Sequence, residues 1–509
     1  MTKKKSLLKT AGMISIFTLI SKGLGFLREI MIASRFGSGI ETDTYFVAMT
    51  ATVIIVGTIG TALKTTLIPI FSEVEGRHGK RAKLKFLNNI LNIVLVLSFV
   101  IIVLGYIFSP LIIKVLANGF EGSQFDLAVT LNRIGLPIAM FLGLTHVFSG
   151  LLDSNEIFGP SAISGIPYNF VFLIYLVFFG KNSSIEALML TTVIATSTQF
   201  LILLPAVRHM GYRYKFKINL KDPYLKKGMI LVLPVLIGSA VQQINIVIDR
   251  TLASGLRKGS ISALTYSSRI NDMVIAVFIM AITTVIFPRL SKAFSDEDRE
   301  GVNEILGQGI NIILIITVPA TIGLLMLAEP LVHLFFVRGS FDINDALMTS
   351  QALMFYSLGL VGFSLRLMLN KVYYSFQDTR TPMINGAIAV VVNLIFNLIL
   401  IKPMGHSGLA LATSISATVT TILLFLSLRK KIGPIGLTKY IICFLKTLAA
   451  SLVMGALVYL IYYRLGAVLP ITKTIQMILL LASAIVGAAA YFGLCILFKV
   501  DELKMIFKR

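Results

Sequence analysis

The chain has 509 residues, 56% of them hydrophobic and only 14% charged, and its mean hydropathy is +0.87. Soluble domains carry about a quarter charged residues, so a water-soluble enzyme or binding module is excluded and an all-α polytopic membrane protein is indicated. The formal net charge of +22 suggests nucleic acid as a partner until the positions of the charges are considered.

Apolar runs of about 20 residues, long enough to cross a hydrocarbon core of roughly 30 Å, recur along the whole chain. They fall at 8–34, 44–71, 86–116, 127–151, 158–180, 185–207, 228–250, 264–288, 307–328, 346–375, 382–402, 406–428, 440–463 and 473–498, which predicts about fourteen transmembrane helices. With a cytoplasmic N-terminus, the inside loops and both termini hold about 28 Lys and Arg, against about nine outside. The basic blocks are Lys3-Lys4-Lys5, Arg77 to Lys85, Arg208 to Lys227, Arg429-Lys430-Lys431 and the tail Lys508-Arg509. The basicity therefore reads as a topology signal and an anchor on anionic headgroups, not as a nucleic-acid footprint. The basic start and apolar run resemble a signal peptide, but Lys22, Arg28 and Glu29 interrupt the run and no small-x-small cleavage site follows. It is read as a retained first helix. Cys443 and Cys495 lie in predicted helices without metal-ligand spacing, as apolar packing does. Trp is absent, so interfacial anchoring falls to Tyr168, Tyr212, Tyr214, Tyr459, Tyr462 and Tyr463.

Two charged pairs stand out. Arg28-Glu29 lies inside the first run and Asp249-Arg250 inside the seventh, where each charge costs roughly 2.5–3.5 kcal/mol on insertion scales unless it pairs or lines a polar cavity. The segments around them correspond. Gly39-Ile40 and Thr44-Tyr45 match Ser260-Ile261 and Thr265-Tyr266, and each second helix runs to a proline, Pro69 or Pro288. The order predicts a duplication into two six-helix lobes, 1–217 and 222–432, related by a pseudo-two-fold axis along the membrane normal, with a C-terminal helix pair at 433–509. Transporters built this way bind substrate between their halves and alternate access.

Ser21-Lys22-Gly23-Leu24-Gly25-Phe26-Leu27-Arg28-Glu29, with Phe36-Gly37-Ser38-Gly39 and Asp43-Thr44-Tyr45-Phe46, resembles the opening of the MurJ/MviN family of lipid II flippases. Ala253-Ser254 to Arg269, Phe287-Pro288-Arg289-Leu290-Ser291-Lys292, Tyr374 to Pro382 and Gly405 to Ala412 extend the likeness along nearly the whole chain. The resemblance implies transport of an undecaprenyl-diphosphate-linked disaccharide-pentapeptide from the inner to the outer leaflet of the bacterial cytoplasmic membrane. It assigns Arg28, Glu29, Asp43, Arg269 and Lys22 to the substrate chamber, and guanidinium groups suit a diphosphate because they donate paired, charge-assisted hydrogen bonds. Structural ion pairing between helices is the other reading of these charges. Asp249 and Asp378 are candidates for ion coupling, since a carboxylate at membrane depth can take Na⁺ or a proton; for Asp378 a turn role before Pro382 stands beside it. No cofactor is expected, and Na⁺, H⁺ or the membrane potential would drive the cycle. Besides the lipid-linked saccharide and the bilayer, the resemblance makes the cell-wall synthesis machinery a candidate partner.

One region departs from the family. Its second helix usually carries Pro-Asn, Arg and Glu-Gly-Ala, whereas Thr52 to Leu63 has none of these and Lys64 supplies the nearest positive charge. A flippase for another polyprenyl-linked saccharide, such as a capsule or teichuronic-acid precursor, is therefore the alternative. The last two helices either flank a groove for the polyprenyl tail, as the family suggests, or pack plainly in lipid. A glycosyltransferase using the same lipid would need catalytic acids in a large external loop, and His146, His333 and His406 are isolated, so no acid/base constellation emerges.

Overall fold

The computed structural model describes residues 2–180, 183–295, 299–467 and 472–500. The tail Lys508-Arg509 lies outside them, as do the side chains of Lys3 to Lys5, of Phe287 to Arg289 and of Ser291. The described residues are helical almost throughout, with one isolated bridge between Arg338 and Phe341. The helices are α1 (Thr2–Phe36), α2 (Ile40–Met49), α3 (Val56–Leu116), α4 (Gly122–Gly135), α5 (Ile138–Ser154), α6 (Gly159–Ile163), α7 (Gly165–Phe178), α8 (Ile185–Leu201), α9 (Leu204–His209), α10 (Pro223–Ser254), α11 (Ser260–Ser295), α12 (Arg299–Phe336), α13 (Ile343–Ser357), α14 (Leu360–Ser375), α15 (Arg380–Met404), α16 (His406–Ile432), α17 (Leu437–Tyr459) and α18 (Lys473–Leu497). The apolar runs predicted from sequence fall on one of them or on a consecutive pair, the run 440–463 continuing from α17 into a π-helical turn at Leu460–Leu465. Among the described residues nine helices are long and apolar enough to span a membrane, or ten if α13 and α14 are one bent span. α1, α10 and α11, of 35, 32 and 36 residues, stand outside that count.

The breaks have local causes. α2 joins α3 through a π-helical turn at Thr50–Ile55. α3 changes direction at Gly79, whose φ of 79° lies outside helical space. Pro137 opens α5 after α4, and α13 meets α14 at 49° across Leu358-Gly359. Asp222 caps α10 ahead of Pro223, and Asp342 and Asp345 form a capping box on α13, each satisfying N-terminal amides that the helix leaves open. α16 ends with Arg429-Lys430-Lys431 before Gly433, so positive charge meets the negative end of the helix dipole.

The chain forms two compact units, Met1–Ile261 and Ser262–Arg509. In the first, α3 packs on α4 and α5, both pack on α8, α7 packs on α8 and α1, and α10 lies along α3. Leu67, Phe71, Phe86, Ile90, Phe148 and Leu151 are at its core. In the second, α12 packs on α13 and α14, both pack on α16, and α15 packs on α16. The same order of pairings, with a break in the equivalent helix, thus recurs downstream of the segments compared in sequence. α17 and α18 add to α12, burying Cys443 and Cys495 in an apolar cluster.

α15 shows the logic of a lipid solvent. Its buried residues are Asn385, Ala389, Asn393 and Asn397, spaced one helical turn apart. Its exposed ones include Ile388, Val391, Ile395, Leu398 and Ile399. Asn397 donates to Asn393 at 3.0 Å and Ser416 of α16 donates to the Ala389 carbonyl at 2.7 Å. Polar groups find partners along the buried face of the helix and across to α16, while apolar ones face outward.

Candidate functional site

Arg28 is half-buried in α1 and fixed from several directions. One guanidinium nitrogen, Nη2, bonds Glu29 Oε1 at 2.7 Å, and Nη1 donates to Asn169 Oδ1 at 3.1 Å. Its side chain keeps 15% exposure and that of Glu29 4%. The guanidinium carbon lies 5.4 Å from the Tyr168 ring centre and 5.2 Å from that of Phe172, within cation–π range. Asn169 is itself held, donating to the carbonyls of Ser21 at 3.1 Å and Gly165 at 2.8 Å. The result is a fixed cation with part of its surface open. Lys22, earlier on α1, is exposed.

Asp43 is buried near the start of α2 and its Oδ2 accepts the Gly259 amide at 2.7 Å. Ser38 Oγ donates to the Gly259 carbonyl at 3.0 Å. Gly259 has a φ of +88°, and a Cβ there would run into the Ser38 carbonyl, so only glycine fits this approach. Ser38 and Gly259 are 221 residues apart, the same offset that relates Arg28 to Asp249. The equivalent turns of the repeat touch each other.

Asp249 and Arg250 are half-buried near the end of α10, where Arg250 Nη1 donates to the Ile261 carbonyl at 3.0 Å. Arg269 is exposed on α11, with Asp272 of the next turn 3.8 Å away. Arg28 belongs to the first unit and Arg269 to the second. Asp378 sits in the turn before α15, where its carboxylate accepts the Thr381 amide at 3.0 Å, the Thr381 hydroxyl at 2.9 Å and Lys431 Nζ at 2.6 Å. Burial raises the Asp378 pKa, but the Lys431 and Thr381 bonds outweigh it and hold the carboxyl down at about 2.

Residues 32–487 match the family model for lipid II flippase MurJ. The chain belongs to the MurJ family. A probable lipid II flippase MurJ of Rickettsia prowazekii is 29% identical over 97% of this chain and 98% of its own length. One from Vibrio cholerae is 30% identical over 90% of each. A solved lipid II flippase MurJ in an inward closed conformation superimposes with a TM-score of 0.80 at 26% identity, covering 96% of this chain and 99% of that one.

Against the MurJ family pattern, the departure in the second helix has a structural counterpart. Lys64 Nζ lies 2.6 Å from Asp153 Oδ2 of α5, and Asp153 also accepts from Ser161 at 3.3 Å. The positive charge nearest the altered motif is thus neutralised locally. Sequence reasoning missed Asn169, Phe172 and Asp153. Asn169 carried a usable signal, a lone amide within an apolar run with aromatic residues one position before it and three after. Tyr168, expected at the interface, lies against Arg28 instead.

Proposed function

We propose that the chain translocates lipid II, the undecaprenyl-diphosphate-linked peptidoglycan precursor, from the inner to the outer leaflet by alternating access and without covalent chemistry. The relatives that bear that name match over 90% or more of their length, and the observation that carries the reading is Arg28. A guanidinium pinned by Asn169, Glu29 and two rings keeps its geometry while part of its surface stays available to a diphosphate. Arg269 is the second cation assigned to the headgroup, and Lys22 meets it on arrival. Asp43, whose Oδ2 holds the Gly259 amide, is assigned to the headgroup beside them.

Ion coupling is assigned to Asp249. Asp378 stays ionised throughout the physiological range because its pKa lies near 2, and a cation there would have to displace Lys431. Moving one charge through 100 mV supplies roughly 2.3 kcal/mol, enough to bias a cycle more than tenfold. The protein resides in the bacterial cytoplasmic membrane, and the basic loops favour both termini in the cytoplasm.

The test is complementation of a strain depleted of its lipid II flippase, with membrane insertion verified. Wild type should restore growth, Arg28→Ala and Arg269→Ala should fail, and Arg28→Lys, which keeps charge without the planar fork, should restore it poorly. Failure of inserted wild type would favour another polyprenyl-linked saccharide. Full rescue by Arg28→Ala would refute the site.

A further inference from the structure

Between α9 and α10 the residues from Tyr212 to Asn219 belong to no helix or strand, and the backbone groups of every second residue, from Arg213 to Asn219, turn toward α3 as in an extended strand. Three asparagines of α3 take the place of a partner strand. Asn88 accepts the Lys215 amide at 2.9 Å and donates to the Arg213 carbonyl at 3.1 Å. Asn89 accepts the Asn219 amide at 2.7 Å and donates to the same residue's carbonyl at 2.9 Å. Asn92 donates to the carbonyls of Lys215 and Lys217 at 2.9 and 3.1 Å. A side-chain amide presents a donor and an acceptor as a peptide group does, so the segment is held like an edge strand on a helix.

Extended backbone sends alternate side chains to opposite sides. One row is Arg213, Lys215 and Lys217; the other is Tyr214, Phe216, Ile218 and Leu220. The second row is exposed, Phe216 by 74% and Leu220 by 72%. Its direction is fixed by Tyr214, whose hydroxyl donates to Asn92 at 2.7 Å, one turn beyond Asn88 toward the apolar length of α3. That length faces outward from Val96 to Val115. At 1.5 Å per residue, Asn92 and Asn88 lie roughly 6 and 12 Å short of it, which is headgroup depth.

We propose that residues 212–221 form an interfacial strap that lays Tyr214, Phe216, Ile218 and Leu220 into the bilayer surface while Arg213, Lys215, Lys217 and Lys221 contact anionic phospholipid headgroups. An apolar row beside a basic row is the pattern of lipid-interface binding, and the basic row selects the anionic surface. The inference rests on the chain spanning a membrane and not on its substrate.

The chain has no Trp, so Phe216→Trp makes a single-tryptophan reporter at an exposed position. The variant is placed in nanodiscs of phosphatidylethanolamine with phosphatidylglycerol, and in nanodiscs of phosphatidylcholine alone. In the anionic discs, emission should shift to the blue, lipids brominated near the headgroup should quench it strongly, and aqueous acrylamide weakly. Lys215→Glu with Lys217→Glu in the reporter should reduce the lipid quenching at least severalfold. Water-like emission open to acrylamide would overturn the proposal. Emission shielded from both quenchers would overturn it too, because protein would then cover the strap. Equal lipid quenching in both discs would overturn the anionic assignment. Leu220→Trp provides an independent reporter on the same row, and its flipping activity is measured separately, so loss of transport cannot be mistaken for loss of the strap.

Discussion

Removing Asn169 should disable Arg28 without touching it. Asn169→Ala deletes the 3.1 Å bond to Nη1, and a hydrogen bond to a charged group contributes about 1.5–3 kcal/mol. Glu29 and the two rings remain, so the arginine stays in place but can rotate about its 2.7 Å contact with Glu29. If the bond orients Arg28 toward the diphosphate, its loss appears in transport at tenfold per about 1.4 kcal/mol. The expected fall is therefore about ten- to a hundredfold in the initial rate of lipid II flipping in proteoliposomes, at equal protein per vesicle. Asn169→Asp retains the acceptor oxygen and should hold Arg28 in position, but its added negative charge opposes the diphosphate, so it should raise the lipid II concentration needed for half-maximal rate. A rate for Asn169→Ala within twofold of wild type, in preparations where Arg28→Ala is inactive, would refute the reasoning.

Three further outcomes are expected. Lys64→Ala and Asp153→Ala each strand a partly buried charge, and each should cost about 1–3 kcal/mol, lowering the melting temperature in detergent; the charge-exchanged double variant should recover most of the loss, and single variants as stable as wild type would dismiss the pair. Asp378 has a pKa of about 2 against an ordinary 3.8, so its contribution is fully present above about pH 4 and disappears as pH falls toward 2. The melting gap between wild type and Asp378→Asn should be constant from pH 7 to 5, shrink below about 4 and close near pH 2; because Lys431 is 38% exposed, screening limits it to about 1 kcal/mol, and a gap undiminished at pH 2 or one that widens on acidification would contradict the assignment. Gly60 packs against the His146 ring with no room for a Cβ, so Gly60→Ala should destabilise by about 1–3 kcal/mol, read by thermal melting, and His146→Ala should restore it.

What could be read from the sequence follows from the solvent. In lipid a helix must satisfy its own backbone, so crossings appear as apolar runs, and a charge such as Arg28 stands out because its insertion is costly. The pairings between helices leave weaker traces. Asn169 lies 141 residues from Arg28, and its composition shows that an amide needs a partner without showing which. Asn88, Asn89 and Asn92 pose the same problem, because their partners are backbone groups of residues 213–219 and carry no side-chain signature. The break at Gly79 falls in the basic segment expected between two runs, whereas the one at Gly359 was hidden inside the single run 346–375, where glycine is also a packing residue.

The repeat, however, held more information than its thin identity suggested. An offset of 221 relates Arg28 to Asp249, Glu29 to Arg250, and Ser38 to Gly259. The last two residues bond directly, and Asp43 joins them through the Gly259 amide. Both residues lie in the first unit, Ser38 in the turn between α1 and α2 and Gly259 in the turn joining α10 to α11. Away from this contact the equivalent residues have different neighbours and are free to diverge. Arg28 meets Asn169, Tyr168 and Phe172, while its equivalent Asp249 carries the opposite charge. Divergence of charge at matched positions is how a duplicated scaffold acquires a cationic binding group in one copy and a titratable or ion-binding one in the other. If Arg28 serves the anionic headgroup and Asp249 the coupling ion, as proposed, Asp249→Asn should alter the ion dependence of transport while leaving lipid II binding intact.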